Sequence, residues 1–466
     1  MPHPALATVA PRRRHRGALA LTGACTLALL GAGPALATTS SHQLSPDTHF
    51  ALHQPDPAAL QQVVGLVRAH DLSGAAAVAG ELLTPQATWL TKGTPAQVQR
   101  QVRQTVTRAA ALRTVPVLVV YDVPRRDCSQ YSSGGAGSDA AYTAWVDGVV
   151  KGLGSAKAVV LIEPDGLANL PSDCPSAYPG QDVAALTAGR IADIAYAGRT
   201  IEAKNASSSV YLDAGNGAWH SAAAMSSRLA QAGVGNVQGF FLNVSNYQYT
   251  ANSDYYGTWL ADCLAYATPL NSTGVAVNPG DFTACGDEYY NGGPATGWAG
   301  GAMNRYAPWT AGNPDLTLDT EGVTSRYALE LGTVTPTVHF VVDTGRNGAG
   351  PHDMSAYAAA PYHQSPAVIT GLQTGNWCNA PGARLGVKPT ADTGVPLVDA
   401  YLWVKTVGES DGQCDIAGGA RAWDYTTYNP WSWDATAAQQ DDPLWGIQDP
   451  AAGAWFGAEA LQLAQP

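Results

Sequence analysis

A chain of 466 residues suffices for one large barrel or two ordinary domains, and 37 Asp and Glu against 25 Lys and Arg exclude the basic surface that nucleic acid or an anionic membrane would demand. Charged residues make up only 13%, while 13 Trp and 20 Tyr stand against 6 Phe. Rings with a flat apolar face and a polar edge suit a partly wet surface of the kind that takes sugar rings.

The chain opens with Arg12-Arg13-Arg14-His15-Arg16, an apolar run over 18–30 and the small-residue pattern Ala35-Leu36-Ala37. This layout predicts a secretory signal peptide over 1–37, by either the general or the twin-arginine route. The apolar core, broken by Gly31, Gly33 and Pro34, is too short for a membrane anchor. Residues 38–57 form a polar, proline-bearing lead-in, and no Pro/Thr/Ser linker follows, so 58–466 is expected to be one catalytic domain.

From there the pattern alternates. Strands are expected at 87–90, 117–121, 159–162, 210–212, 239–243, 338–342 and 401–404, and helices at 94–112, 140–153, 182–205 and 221–232. Alternation at this pitch predicts an α/β fold, a parallel β/α barrel with long surface loops. The stretch 247–320, rich in Gly, Pro, Asn, Tyr and Trp, breaks the pattern, as does 423–445 with Trp431 and Trp433. Four apolar runs end in a carboxylate, at Asp122 (with Asp127 close behind), Asp165, Asp213 and Asp343. Residues past the carboxyl ends of barrel strands line the mouth where barrel enzymes do their chemistry, which makes the chain an enzyme candidate.

Of seven cysteines, Cys25 lies in the leader, leaving Cys128, Cys174, Cys263, Cys285, Cys378 and Cys414. An even set in an exported chain predicts three disulfides, with fifteen connectivities open. None has Cys-x-x-Cys or Cys/His spacing, so a zinc site has little support, and no cofactor is expected.

Val119-Val120-Tyr121-Asp122-Val123-Pro124-Arg125-Arg126-Asp127-Cys128-Ser129, running on to Ser132-Ser133-Gly134-Gly135, resembles the first signature of glycoside hydrolase family 6, the cellulases. Leu161-Ile162-Glu163-Pro164-Asp165-Gly166-Leu167 resembles the second, with Gly166 where a larger residue is common. Tyr211-Leu212-Asp213-Ala214-Gly215, Leu242-Asn243-Val244-Ser245-Asn246-Tyr247, Asp343-Thr344-Gly345-Arg346-Asn347-Gly348, Trp377-Cys378-Asn379 and Gly408-Glu409-Ser410-Asp411-Gly412 follow in the family's order. The resemblance implies a distorted, TIM-like β/α barrel of about seven strands, and a secreted, metal-independent, inverting β-1,4-glucanase acting on cellulose or soluble β-1,4-glucan.

By resemblance Asp165 is the general acid, Asp127 the carboxylate that raises its pKa, and Asp411 the proposed base, flanked by Arg346 and Lys405. A carboxylate between two cations is a weak base, so a structural ion pair is the competing role for Asp411. Tyr121 matches the tyrosine that crowds the sugar at the cleavage point, and Ser133 a serine that helps hold the attacking water. Trp89, Trp219 and Trp377 fall where glucosyl units stack, and Asp213, Asn216, Asn243, Arg346, Lys405 and Glu409 join them as expected sugar contacts. Asn216 replaces a common histidine; its amide bonds a hydroxyl but does not titrate, which leaves xylan or mixed-linkage glucan open as substrates. The resemblance also implies the pairs Cys128–Cys174 and Cys378–Cys414, with Cys263–Cys285 by subtraction. The compact loop at 129–137 favours endo action; the long loops favour a cellobiohydrolase, and a non-catalytic carbohydrate-binding protein is the rival of another class. A monomer is expected.

Overall fold

The computed structural model describes residues 42–429 and 441–465. The predicted leader, the first residues of the lead-in, and Trp431 and Trp433 lie outside the described residues. Seven parallel strands, β1 (Thr88–Leu90), β2 (Val117–Val120), β3 (Ala158–Ile162), β4 (Ser208–Asp213), β5 (Gly239–Leu242), β6 (His339–Asp343) and β7 (Val398–Leu402), pair in chain order. They form a curled, distorted barrel. Its ends approach where Ala87 N donates to Trp403 O (3.0 Å) and Trp89 Nε1 to Val404 O (2.8 Å).

Successive residues of a strand face opposite ways, and the β-branched runs use both faces. Leu118, Val120, Val160, Ile162, Val210, Leu212, Phe240, Leu242, Phe340 and Val342 join the core beneath the helices. Val117, Val119, Val159, Leu161, Tyr211, Phe241 and Val341 fill the barrel interior, together with Tyr121. The helix Pro95–Ala111 starts at a Thr94/Gln97 capping box and buries Val98, Val102 and Val106 on one stripe. Asp139–Leu153, Val183–Lys204 and Ala222–Gln231 begin on Ser138, Asp182 and Ser221, whose side chains accept a first-turn backbone N–H.

Three expectations need correction. The last strand begins at Val398, ahead of the expected 401–404, because Asp399 interrupts the apolar run. Its buried carboxylate accepts from Tyr211 Oη (2.6 Å) and Gln238 Nε2 (2.9 Å) and faces His339 Nδ1 (2.8 Å). The stretch 247–320 is not irregular throughout: Thr250–Ala267 is a helix that buries Trp259, Leu260 and Leu264, its apolar spacing masked by polar residues such as Asn252, which bonds Trp309 N. Before β1, helices Pro57–Arg68 and Leu72–Leu82 precede the first expected element. The disulfides are Cys128–Cys174, Cys263–Cys285 and Cys378–Cys414. Among the described residues no helix is long and apolar enough to cross a membrane.

Candidate active site

The loops after β2, β3 and β4 are tied to one another at the carboxyl end of the sheet. Arg125, Asp127, Cys128, Glu163 and Asp165 all hold φ between +45° and +64°, a region that costs a non-glycine residue on the order of 1 kcal/mol. Buried hydrogen bonds hold them there. The Glu163 carboxylate accepts from Asp122 N (3.0 Å) and Val123 N (3.1 Å). Arg190, from helix Val183–Lys204, donates to Pro124 O and Arg125 O (both 2.9 Å) and reaches Gly166 O and Asn169 O at 3.5 and 3.4 Å. Asp213, the last residue of β4, accepts from Leu167 N (3.1 Å), Ala168 N (2.9 Å) and Gly215 N (3.1 Å). Gly135 (φ +93°) lets this loop pass where a Cβ would stand 2.0 Å from Val123 O.

Asp165 emerges from this framework partly exposed, with its pKa held well above the ordinary carboxylate range. Burial is the largest cause; the charges of Asp213, Asp127 and Asp411 add to it and Lys405 opposes. Asp127, whose Oδ2 accepts from Ser132 N at 2.7 Å, is pushed up to about 6 by burial, against that hydrogen bond and the Arg126 charge. Arg126 lies 4.5 Å from the Tyr121 ring centroid and donates to Tyr121 O, Thr91 O and Ser132 O at 2.5, 3.1 and 2.8 Å.

The loop after β7 has the opposite electrostatics. Arg346 grips Asp411 with two hydrogen bonds of 2.8 and 2.9 Å, and Lys405 Nζ stands 3.4 Å from Oδ1. Asn379 N donates to Oδ2 (3.0 Å), and Tyr247 Oη lies 3.4 Å from the same oxygen. Burial pushes this carboxyl up, yet the two cations outweigh it and hold it below its ordinary value. The charges of Asp411 and Lys405 both act on Asp165, so the two sides belong to one field.

The other expected residues divide. Trp219 is 37% exposed and stacks on His220, and Asn216 Oδ1 caps Ala218 N (3.0 Å) beside it. Trp89 is half-buried, its ring edge-on to Tyr121 with centroids 5.3 Å apart, and Trp377 tilts against Tyr131. Ser133 is exposed and Glu409 half-buried. Other expected sugar contacts turn inward instead. Asp213 engages three backbone N–H groups, as above. Asn243, 1% exposed, donates to Gln248 O and Asp343 O and accepts from Gln248 N, closing a turn and leaving no free face for a sugar.

Sequence reasoning assigned no role to Glu163, Arg190, Tyr131, Asn379 or Glu459. Glu163 and Asn379 stand inside the quoted motifs; Arg190 and Glu459 lie on helices with no local signal. Tyr131 Oη donates to Asp415 Oδ1 (2.8 Å) and its ring packs where a Cβ on Gly412 (φ +154°) would meet it at 2.5 Å. The loop of Asp127 thereby touches the loop of Asp411. Among the described residues Cys414, Asp442 and Asp449 approach metal-binding spacing, but Cys414 is bonded to Cys378 and Asp442 pairs with Arg421 at 2.9 Å.

A curled parallel barrel whose strand-end loops bring together a raised and a depressed carboxyl has the arrangement that acid–base catalysis requires. Residues 46–466 match glycosyl hydrolases family 6, and the chain belongs to that family. It is 30% identical over 402 residues, 85% of its length, to endoglucanase A of Thermobispora bispora, and spans 63% of that relative, less than two thirds. The endoglucanase Cel6 of Mycobacterium tuberculosis, solved with methyl-cellobiosyl-4-deoxy-4-thio-β-D-cellobioside, is 28% identical with a TM-score of 0.55, covering 91% of this chain and 98% of that one. The catalytic core of the Chaetomium thermophilum cellobiohydrolase Cel6A shares the fold at 23% identity, with a TM-score of 0.53 over 90% of this chain and 96% of that one.

Proposed function

We propose that this protein is a secreted, inverting β-1,4-glucanase that cuts cellulose chains internally. The observation that carries the reading is the pairing, in a family 6 barrel mouth, of one carboxyl pushed up by burial and neighbouring carboxylates (Asp165) with another held down by Arg346 and Lys405 (Asp411). Asp165 gives its proton to the glycosidic oxygen as the bond to the anomeric carbon breaks. A water attacks that carbon from the opposite face, and its proton passes to Asp411, so the configuration inverts. Asp127 keeps Asp165 protonated by its nearby charge. Trp89, Trp219 and Trp377 offer ring faces for glucosyl units, and Asn216, next to Trp219, offers its amide to a hydroxyl. The oligosaccharide-bound Mycobacterium tuberculosis enzyme supports a glucan in this cleft. The leader motif over 1–37 and the three disulfides support export, with 58–466 as the catalytic domain.

The contact of Tyr131 with Asp415 favours a second reading, end-on attack by a cellobiohydrolase, because it joins two loops beside the catalytic groups. Viscosity of soluble carboxymethylcellulose, followed against reducing ends released, separates the two. A steep fall in viscosity per new end is expected; reducing sugar released at nearly constant viscosity would replace endo with exo action. No reducing ends from any β-glucan would leave a non-catalytic binding protein.

A further inference from the structure

The Arg346 guanidinium serves two carboxylates. Its Nη1 donates to Asp411 Oδ2 at 2.8 Å and to Glu459 Oε1 at 3.0 Å. Glu459 is fully buried on the C-terminal helix Gly457–Leu463, and its Oε2 has no hydrogen-bond partner. That helix is anchored independently of the ion pair: Gln62 Nε2 donates to Gly457 O (2.9 Å), and Leu385 N to Leu463 O (3.2 Å). Behind it lies Glu81, 1% exposed on helix Leu72–Leu82, with neither carboxyl oxygen bonded. A buried line thus runs from the candidate base through Arg346 to two further acids.

We propose that Glu459 is a positioning residue that sets the basicity of Asp411 by competing with it for the Arg346 guanidinium. The inference rests on the reading of Asp411 as the base. One N–H shared by two anions binds each less firmly than one alone. When Glu459 is ionised, its charge offsets that of Arg346 at Asp411, and Asp411 accepts a proton more readily. When Glu459 is neutral, Arg346 belongs wholly to Asp411, and proton acceptance weakens. The groups facing Glu459 are Arg346 from the loop after β6, Asp411 and Lys405 from the loop after β7, Tyr247 from the loop after β5, and Glu81 from helix Leu72–Leu82. Burial pushes Glu459 up to about 7, with Asp411 adding and Arg346 opposing, whereas burial and the Glu459 charge push Glu81 up to about 9. Between pH 6 and 8, Glu459 is therefore the member of this line that changes charge.

The test is the pH dependence of kcat and KM on a soluble cello-oligosaccharide, with thermal unfolding alongside, for Glu459→Gln and Glu459→Asp. Glu459→Gln is expected to lower kcat about tenfold at pH 8, the effect of one pKa unit at the base. KM stays unchanged and the wild-type inflection near pH 7 is lost, whereas Glu459→Asp, which keeps a titrating carboxyl at an altered distance from Arg346, keeps an inflection at a displaced pH. A folded Glu459→Gln enzyme whose profile parallels the wild type overturns the proposal. If Glu459→Gln does not fold, Glu459→Asp decides: a displaced inflection supports the proposal and an unmoved one overturns it. Asp411→Asn separates the two readings. Wild-type turnover in Asp411→Asn removes the base assignment itself, whereas lost turnover there with an unmoved Glu459→Gln profile removes only the role of Glu459.

Discussion

Asp165 and Asp411 follow β3 and β7 of one sheet, the first partly exposed and the second buried, and their surroundings drive them in opposite directions. Around Asp165 three carboxylates, Asp213, Asp127 and Asp411, outweigh the single opposing charge of Lys405, so burial and repulsion act together. Around Asp411 they are Arg346 and Lys405, whose attraction overcomes burial. Burial alone thus does not decide protonation; the sign of the buried neighbours does. The same chemical group is pushed toward its neutral form on one side and toward its ionised form on the other. The local frameworks differ to match: backbone donors and one arginine brace the acid side, while a salt-bridge network braces the other.

The sharpest way to break this comparison is Asp165→Asn, expected to lower kcat on cello-oligosaccharides by roughly 10²–10⁴-fold. An aryl β-cellobioside whose phenol leaves without protonation should be nearly spared. An equal loss on both substrates would place the damage in the fold rather than in proton donation. Asp411→Asn is expected to cost roughly 10²-fold, and added azide should restore turnover by replacing water and needing no base. An azide-insensitive loss would assign Asp411 to the ion pair alone.

Asp127→Asn sharpens the acid side. With Asp165 as the proposed acid, activity falls as pH rises through that group's raised pKa. Removing the Asp127 charge lowers this pKa, and the alkaline limb of kcat/KM should move down by about one unit, roughly tenfold at a fixed pH on that limb. An unmoved limb would mean that burial and Asp213 suffice. The smallest effect concerns the whole molecule. Asp193 and Glu459 are pushed up to about 7 and Glu81 to about 9, chiefly by burial. In the unfolded chain such acids ionise near pH 4, so between their two pKa values the folded state binds more protons. Their contribution is present below about pH 4 and is lost as pH rises through 7 and 9. Asp411 has the opposite sign, its contribution being lost as pH falls below the ordinary carboxylate range. The unfolding midpoint should therefore decline from pH 5 to pH 8; a rise over that range would reverse the sign of the buried acids.

Much of the fold was legible because a buried parallel strand must be apolar on both faces. Runs such as 117–121 and 159–162 stand out from the polar loops around them. The exceptions have the same physical origin. Asp399 interrupts β7 with a charge that is satisfied only by Tyr211, Gln238 and His339, distant in sequence. Thr250–Ala267 carries polar residues on a helix whose partners lie in later loops. At the site, Asp165 and Asp127 are visible as carboxylates just past apolar runs, but Asp213 and Asn243 look equally exposed from sequence. Their inward roles depend on backbone N–H groups that only folding presents.

The order of apolar runs and their terminal carboxylates, the even cysteine set and the family motifs were determined by the sequence alone, because each is a local or compositional property of the chain. Tertiary structure decided which carboxyl has its pKa raised, which is clamped by cations, and which holds a loop. A pKa follows from charges and dielectric within a few ångströms, and those neighbours arrive from loops, and from helices such as Val183–Lys204 and Gly457–Leu463, up to hundreds of residues apart.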